Sequence, residues 1–148
     1  EGTIACTWSL ENKLTSVTNL DGVVVSFKYD PFGRRIEKQV VEDGVAKTLK
    51  YVYDSEDVLF EVDEVGSVGN CYVHGPGIDE PLALIQQKKA SFYHTDVLGS
   101  VTDLSDTKGK VVQTYDYDSF GNLKNQKNRI KQPYTFTGRE YDRETGLY

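Results

Sequence analysis

Glycine recurs along this chain with a period of eleven. Of the 13 glycines, seven (Gly22, Gly33, Gly44, Gly66, Gly77, Gly99 and Gly121) fall on multiples of eleven, and Gly109 misses by one. Chance would place about one there, so the period belongs to the fold. Between glycines the chain alternates apolar and polar residues and is rich in Val, Thr and Tyr. "VVVSFKY" (23–29) puts Val23, Val25, Phe27 and Tyr29 on one face, "KTLKYVY" (47–53) puts Leu49, Tyr51 and Tyr53 together, and "KVVQTYDY" (110–117) does so for Val111, Gln113, Tyr115 and Tyr117. That is strand patterning. About seven strand residues plus about four turn residues fill one period.

A second spacing doubles the first. Trp8, Tyr29, Tyr53, Tyr72, Tyr93, Tyr117 and Tyr141 are separated by 21, 24, 19, 21, 24 and 24 residues. Most precede a turn-forming group: "YDPFG", "YDSED", "YVHGPG", "YHTDVLG", "YDSFG", "YDRETG". The alternate turns are "LDGV" (20–23), "EDGV" (42–45), "EVGS" (64–67) and "TKGK" (107–110), where Asp-Gly is a short-hairpin signal. The expectation is an all-β chain of antiparallel β-hairpin repeats, period about 22 residues, in a curled or spiralling sheet. Twelve to fourteen strands are expected, with the anchor rings of successive hairpins stacked into a ladder. "EPLALIQQKKA" (80–90) is the best helix candidate and is assigned to strand by its place in the period. Trp8, Tyr29, Asp30, Gly33, Tyr53, Asp54, Tyr72, Gly77, Tyr93, Asp96, Gly99, Tyr117, Asp118, Gly121, Tyr141, Asp142 and Gly146 are expected to carry the repeat as structural residues.

Composition narrows the function classes. Net charge is −6, which argues against a nucleic-acid grip. No apolar run approaches the ~20 residues of a membrane helix. Position 1 is Glu and Met is absent, so the chain reads as cut from something longer. Charge is uneven: residues 1–87 carry 7 basic and 15 acidic side chains, residues 88–131 carry 8 and 5. "LKNQKNRIKQ" (123–132), with Lys124, Lys127, Arg129 and Lys131, reads as a solvated loop, with an anionic glycan or lipid headgroup as the alternative partner. Cys6 and Cys71 are the two cysteines and read as buried free thiols, with a bridge as the alternative for an exported chain.

The ordered string of motifs resembles the RHS / YD-repeat family. "YDPFGRRIEK" (29–38) resembles a YD repeat, and "WSLENKLTSVT" (8–18) a diverged one. "YVHGPGIDEPLA" (72–83), the segment 92–122 and "PYTFTGREYDRETGLY" (133–148) resemble the RHS-repeat-associated core. The resemblance implies YD/RHS repeats over 1–70 and the N-terminal part of the core over 71–148, in one continuous sheet. It implies a segment of a β-shell of the kind that encloses a C-terminal toxin, exported or at the cell surface. Its partners are then the rest of the shell and the toxin, or copies of itself through sheet edges. Adhesion or glycan binding, and a self-assembling β-filament, are the alternatives. The family's aspartyl self-cleavage region lies beyond the motif ending at Tyr148, so the resemblance carries over no catalytic residue and no cofactor. Asp116, Asp118, Asp142 and Glu144 sit at repeat positions. His94 and Asp96, two apart on a strand, allow a metal pair, but His74 is the one other histidine, and a turn role for Asp96 and Gly99 is the preferred reading.

Overall fold

The computed structural model describes residues 4–126 and 130–148. The described residues form twelve strands and one short 3-10 turn, Phe136–Gly138. The strands are β1 (Ala5–Trp8), β2 (Leu14–Thr18), β3 (Val24–Tyr29), β4 (Arg35–Glu42), β5 (Val45–Asp54) and β6 (Asp57–Asp63), followed by β7 (Val68–His74), β8 (Pro81–Gln86), β9 (Lys89–Thr95), β10 (Val101–Asp106), β11 (Val111–Tyr117) and β12 (Leu123–Gln126). The chain divides into two compact units. One runs through Gly69 and adds Arg143–Leu147; the other spans Asn70–Asp142 and adds Tyr148.

In the first unit β1 to β6 lie side by side in chain order, each antiparallel to the next. Alternation decides which face is dry. Val17, Val25 and Val40 are directly opposed on β2, β3 and β4, and Val17 and Val25 are fully buried. Phe27 joins them, flanked by Leu14, Val23, Tyr29 and Val40. In the second unit β7, from Asn70 onward, and β8 to β12 follow the same plan. Tyr72 opposes Leu84, and Tyr93 opposes Leu104, which opposes Gln113. All five are buried. The segment 80–90 is strand as expected: β8, a two-residue turn at Gln87-Lys88, and β9.

The period of eleven proves to be a period of left-handed backbone. Every strand-to-strand connection carries positive φ, at Asn12, Gly22, Gly33, Gly44, Ser55, Gly66, Asp79, Lys88, Gly99, Gly109 and Gly121, and the tight turns at 43–44 and 87–88 add Asp43 and Gln87. Two multiples of eleven that lack glycine, 55 and 88, still hold left-handed backbone, at Ser55 (φ 54°) and Lys88 (φ 65°). Gly77, counted in the glycine series, is not a left-handed residue; Asp79 (φ 55°) takes that place. The β7–β8 connection is longer than the others, and the Gly77 N–H donates to Glu80 Oε2 (2.9 Å). Two-residue turns occur at Asp43-Gly44, Ser55-Glu56 and Gln87-Lys88. "LDGV", "EVGS" and "TKGK" belong instead to five-residue turns beginning at Asn19, Asp63 and Asp106. The side chains of Asn19, Asp63 and Asp106 make the difference.

Gly33 (φ +85°) tests the reading at one turn. A Cβ there meets only the flexible end of Lys13, at 2.6 Å from Nζ, so the cost comes from backbone strain. Gly33→Val is expected to cost about 1–3 kcal/mol. An unchanged denaturation midpoint contradicts it.

Candidate functional site

The repeated chemistry is a five-residue turn. At Asp30 the N–H groups of Phe32 (2.9 Å) and Arg34 (3.0 Å) donate to Oδ1. The Gly33 N–H donates to the Asp30 carbonyl (2.9 Å), and the Asp30 N–H to the Arg34 carbonyl (3.0 Å). The same four bonds recur at Asn19, Asp63, Asp96, Asp106 and Asp118. At Ser9 the hydroxyl plays the carboxylate's part, with Asn12 (φ 59°) in the glycine place. "TFTGR" repeats the backbone bonds at Thr135, but there the Thr137 N–H donates to Ser100 Oγ (3.1 Å). A side-chain acceptor at the first position thus replaces the tight hairpin with a wider one that needs a left-handed residue, glycine or Asn12, three residues later. Asp30, Asp96 and Asp118 are turn formers by this geometry. Asp54 closes β5 opposite Asp57 across a two-residue turn and has no such loop.

Three of these carboxylates are held below the usual range. At Asp118 the Asn122 side chain leads, with the Phe120 and Asn122 N–H groups behind it. At Asp106 the Lys108 and Lys110 N–H groups dominate. At Asp30 burial pushes the carboxyl up, but the Arg34 and Phe32 N–H groups and the Arg34 guanidinium outweigh it. A depressed folded-state value stabilises above the ordinary carboxylate value of 3.8 and is lost as pH falls through the folded value. Stability is therefore expected to be flat near neutrality and to fall below about pH 4. The triple variant Asp30→Asn, Asp106→Asn, Asp118→Asn keeps an Oδ1 acceptor, as Asn19 does, and should show a shallower acid limb. Denaturant midpoints measured against pH check this; an acid limb of unaltered steepness contradicts it.

The aromatic anchors divide into two rows. Counting from each turn's first position, Trp8, Tyr29, Tyr53, His74, Thr95 and Tyr117 stand one residue before it. Phe27, Tyr51, Tyr72, Tyr93 and Tyr115 stand three before it, and all five are buried, at 6%, 8%, 2%, 9% and 3% exposure. Tyr72 and Tyr93 therefore belong to the inner row, not to the row of Tyr29, Tyr53 and Tyr117. In the outer row a register shift falls just before Trp8, Tyr29, Tyr53, His74 and Tyr117, so each begins at a β-bulge. The hydroxyls of Tyr29, Tyr53 and Tyr117 then reach the carbonyls of Leu14 (2.8 Å), Arg35 (2.9 Å) and Val101 (2.7 Å) on the preceding strand. Burial, with Tyr148, Tyr115 and Asp96 nearby, pushes the Tyr117 hydroxyl far above its ordinary value.

The expected ring-on-ring ladder is corrected here. Rings on every second strand lie about 9.6 Å apart, two strand spacings, too far to stack. In the first unit cations stand between them: Arg35 is 5.4 Å from the Phe27 ring and 5.1 Å from Tyr51, and Arg34 is 5.1 Å from Tyr53. In the second unit the C-terminal segment fills the gaps. Tyr134 packs edge-on against Tyr72 (5.1 Å), His74 (5.3 Å) and Tyr93 (6.1 Å). Gln132 accepts from the Tyr93 hydroxyl (3.1 Å) and donates to the Tyr115 hydroxyl (2.6 Å) and the Tyr134 carbonyl (2.7 Å). The Val101 N–H donates to Thr135 O (2.9 Å), and Ile130 N–H to Gln113 Oε1 (2.8 Å). Among the described residues no buried side-chain polar atom is left without a partner. Gln113 and Gln132, buried, are the residues that sequence reasoning missed. Their one signal was polarity at core-facing positions beside Tyr.

The remaining candidates scatter. Tyr141 packs on Tyr148 (5.0 Å), and Gly146 has φ 72°. Asp142 is half-buried; in the first unit Glu144 pairs with Lys38 (2.8 Å). His94 Nε2 meets Ser105 Oγ (2.8 Å), while the Asp96 carboxylate faces its own turn, so the two do not converge. Cys6 is an exposed and Cys71 a half-buried free thiol, against the expected burial of both. All four residues of β1 are exposed, Cys6 among them. Lys124 and Lys131 are exposed; Lys127 and Arg129 lie outside the described residues. No described helix is long and apolar enough to cross a membrane.

Comparison with known proteins agrees with this architecture. The Teneurin YD-shell family matches residues 7–148. A tRNA nuclease WapA of Bacillus subtilis (strain 168) is 35% identical over 153 residues, which is 100% of this chain and 6% of that protein. The toxin protein Tse5 of Pseudomonas aeruginosa is 25% identical, covering 82% of this chain and 12% of that protein. Among solved structures, a TcdB2-TccC3-Cdc42 crystal structure superposes with a TM-score of 0.75 at 17% identity, over 98% of this chain and 8% of the other. That likeness shows the fold. The chain thus spans a small fraction of its relatives, and its repeats place it in the YD-shell family of RHS/YD-repeat proteins.

Proposed function

We propose that this chain is a non-catalytic wall segment of an exported RHS/YD-repeat shell that encloses a toxin. The observation that carries the reading is the size relation: a chain built of wall-forming hairpins matches, over its whole length, 6% of a much longer nuclease and, over 82% of its length, 12% of a toxin. The turns and ring rows described above hold strands to one another and leave their carboxylates committed to backbone N–H groups, which suits a wall. Any toxic activity then belongs to another region of the longer protein.

The test uses the natural full-length protein that contains this segment. Its intact mass should far exceed 16.7 kDa, the mass of this chain. Limited proteolysis should spare a C-terminal domain in the intact protein and digest it once the wall is destabilised by Gly121→Val and Gly138→Val. A native protein of this chain's own mass, or a C-terminal domain equally digested in both forms, overturns the proposal.

A further inference from the structure

The turns at Ser9 and Asp30 each send a cation to the next hairpin along. Lys13, the fifth residue of the Ser9 turn, donates to the Gly33 carbonyl (3.3 Å) and lies 5.8 Å from the Tyr29 ring. Arg34, the fifth residue of the Asp30 turn, donates to the Ser55 carbonyl (2.6 Å) and lies over the Tyr53 ring. The rule is the same in both copies. The cation that ends the turn closes on the outer-row ring of the following hairpin and on a carbonyl in that hairpin's turn.

The first hairpin has the accepting half of this arrangement. Trp8 is its outer-row ring and Asn12 carries the equivalent carbonyl. Trp8 is 62% exposed. Its strand, β1, pairs with β2 along one side, and all four of its residues are exposed. A free backbone edge accepts an extended strand. A large ring beside it accepts a cation.

We infer that the β1 edge receives a further YD hairpin of the same polypeptide, recognised by a Lys or Arg at the fifth position of its turn that closes on Trp8 and the Asn12 carbonyl. This rests on the shell reading and deepens it. A second copy of this chain fits less well: the strand at the other end of the order, β12, follows the Asp118 turn, whose fifth residue is Asn122.

The register is set by the chain itself. Residues 1–8 match in number the eight residues from Ala46 to Tyr53 that follow the β3–β4 hairpin. A copy of residues 23–45 fused ahead of Glu1 therefore presents its Arg34 equivalent at Trp8. Trp8 is the only tryptophan, so its fluorescence reports on this edge alone. The fusion is expected to shift Trp8 emission to the blue, to reduce acrylamide quenching, and to protect the β1 amides from exchange. Changing the appended Arg to Gln should weaken engagement about two- to fivefold, the loss of one exposed cation–π contact, and Lys should restore part of it. Protected β1 amides with a Trp8 indifferent to Arg or Gln overturn the cation inference while leaving the edge pairing of a wall intact. Unprotected β1 amides overturn both. If the fusion misfolds, the free peptide 23–42 serves as the probe, and no Trp8 response at saturating peptide overturns the inference.

Discussion

Replacing Gly138 is expected to unseat the C-terminal segment of the second unit. Gly138 has φ +71°, and a Cβ there would collide with the backbone carbonyl of Asp79. Two penalties combine for Gly138→Val: left-handed strain on a β-branched residue, and an overlap that no rotamer relieves. Each is worth about 1–3 kcal/mol, so a loss of about 2–6 kcal/mol is expected. Asn separates the two penalties, because it tolerates positive φ but still carries a Cβ. Gly138→Asn should remain costly. Gly44→Asn, at φ +76° with nothing within 4 Å of the added Cβ, should change stability by less than about 1 kcal/mol. Hydrogen exchange at Val101 N–H, which donates to Thr135 O, reports the unseating directly. Equal effects at both glycines would show that contact with Asp79 plays no part.

The strand set was legible because period-two alternation and turn residues are local signals. Val25 and Phe27 needed only their neighbours to be placed on the dry face. Turn width was less legible. "LDGV" and "EDGV" look alike, yet Asn19 lies two residues before Asp21 and captures the Asp21 and Val23 N–H groups, while Glu42 sits opposite Val45 in a tight turn. The deciding residue stands outside the quoted motif. Backbone demand was also only partly visible: Ser55 and Lys88 hold positive φ where the period requires it, at a cost that glycine would have avoided.

The two aromatic rows look like one in the sequence for a reason in strand geometry. Residues two apart share a face, so Tyr93 and Thr95 satisfy the same alternation, and the larger ring draws the assignment. Only the bulges and turn bonds distinguish them. The seating of 130–142 was hidden differently. Its contacts lie far apart in sequence: Gln132 with Tyr93, Thr135 with Val101, Thr137 with Ser100. No local pattern announces a partner more than thirty residues away.

Tyr134→Ala is expected to be the most damaging side-chain truncation in the second unit. The ring is 6% exposed and meets Tyr72 at 5.1 Å and 90°, His74 at 5.3 Å and 82°, and Tyr93 at 6.1 Å and 85°. Edge-to-face contact places the positive ring edge against the negative face of its neighbour. Truncation removes these contacts and leaves a cavity between two strands whose rings are too far apart to meet, for about 3–5 kcal/mol. The geometry argues that collapse cannot recover this loss, because Tyr72 and Tyr93 are fixed by their own strands. Tyr134→Phe keeps all three ring contacts and should cost far less. A double-mutant cycle with Tyr72→Leu should give a coupling of about 0.5–1.5 kcal/mol. Additive effects in that cycle would mean that the segment is held by its backbone bonds and by Gln132, with the Tyr134 ring merely covering the sheet.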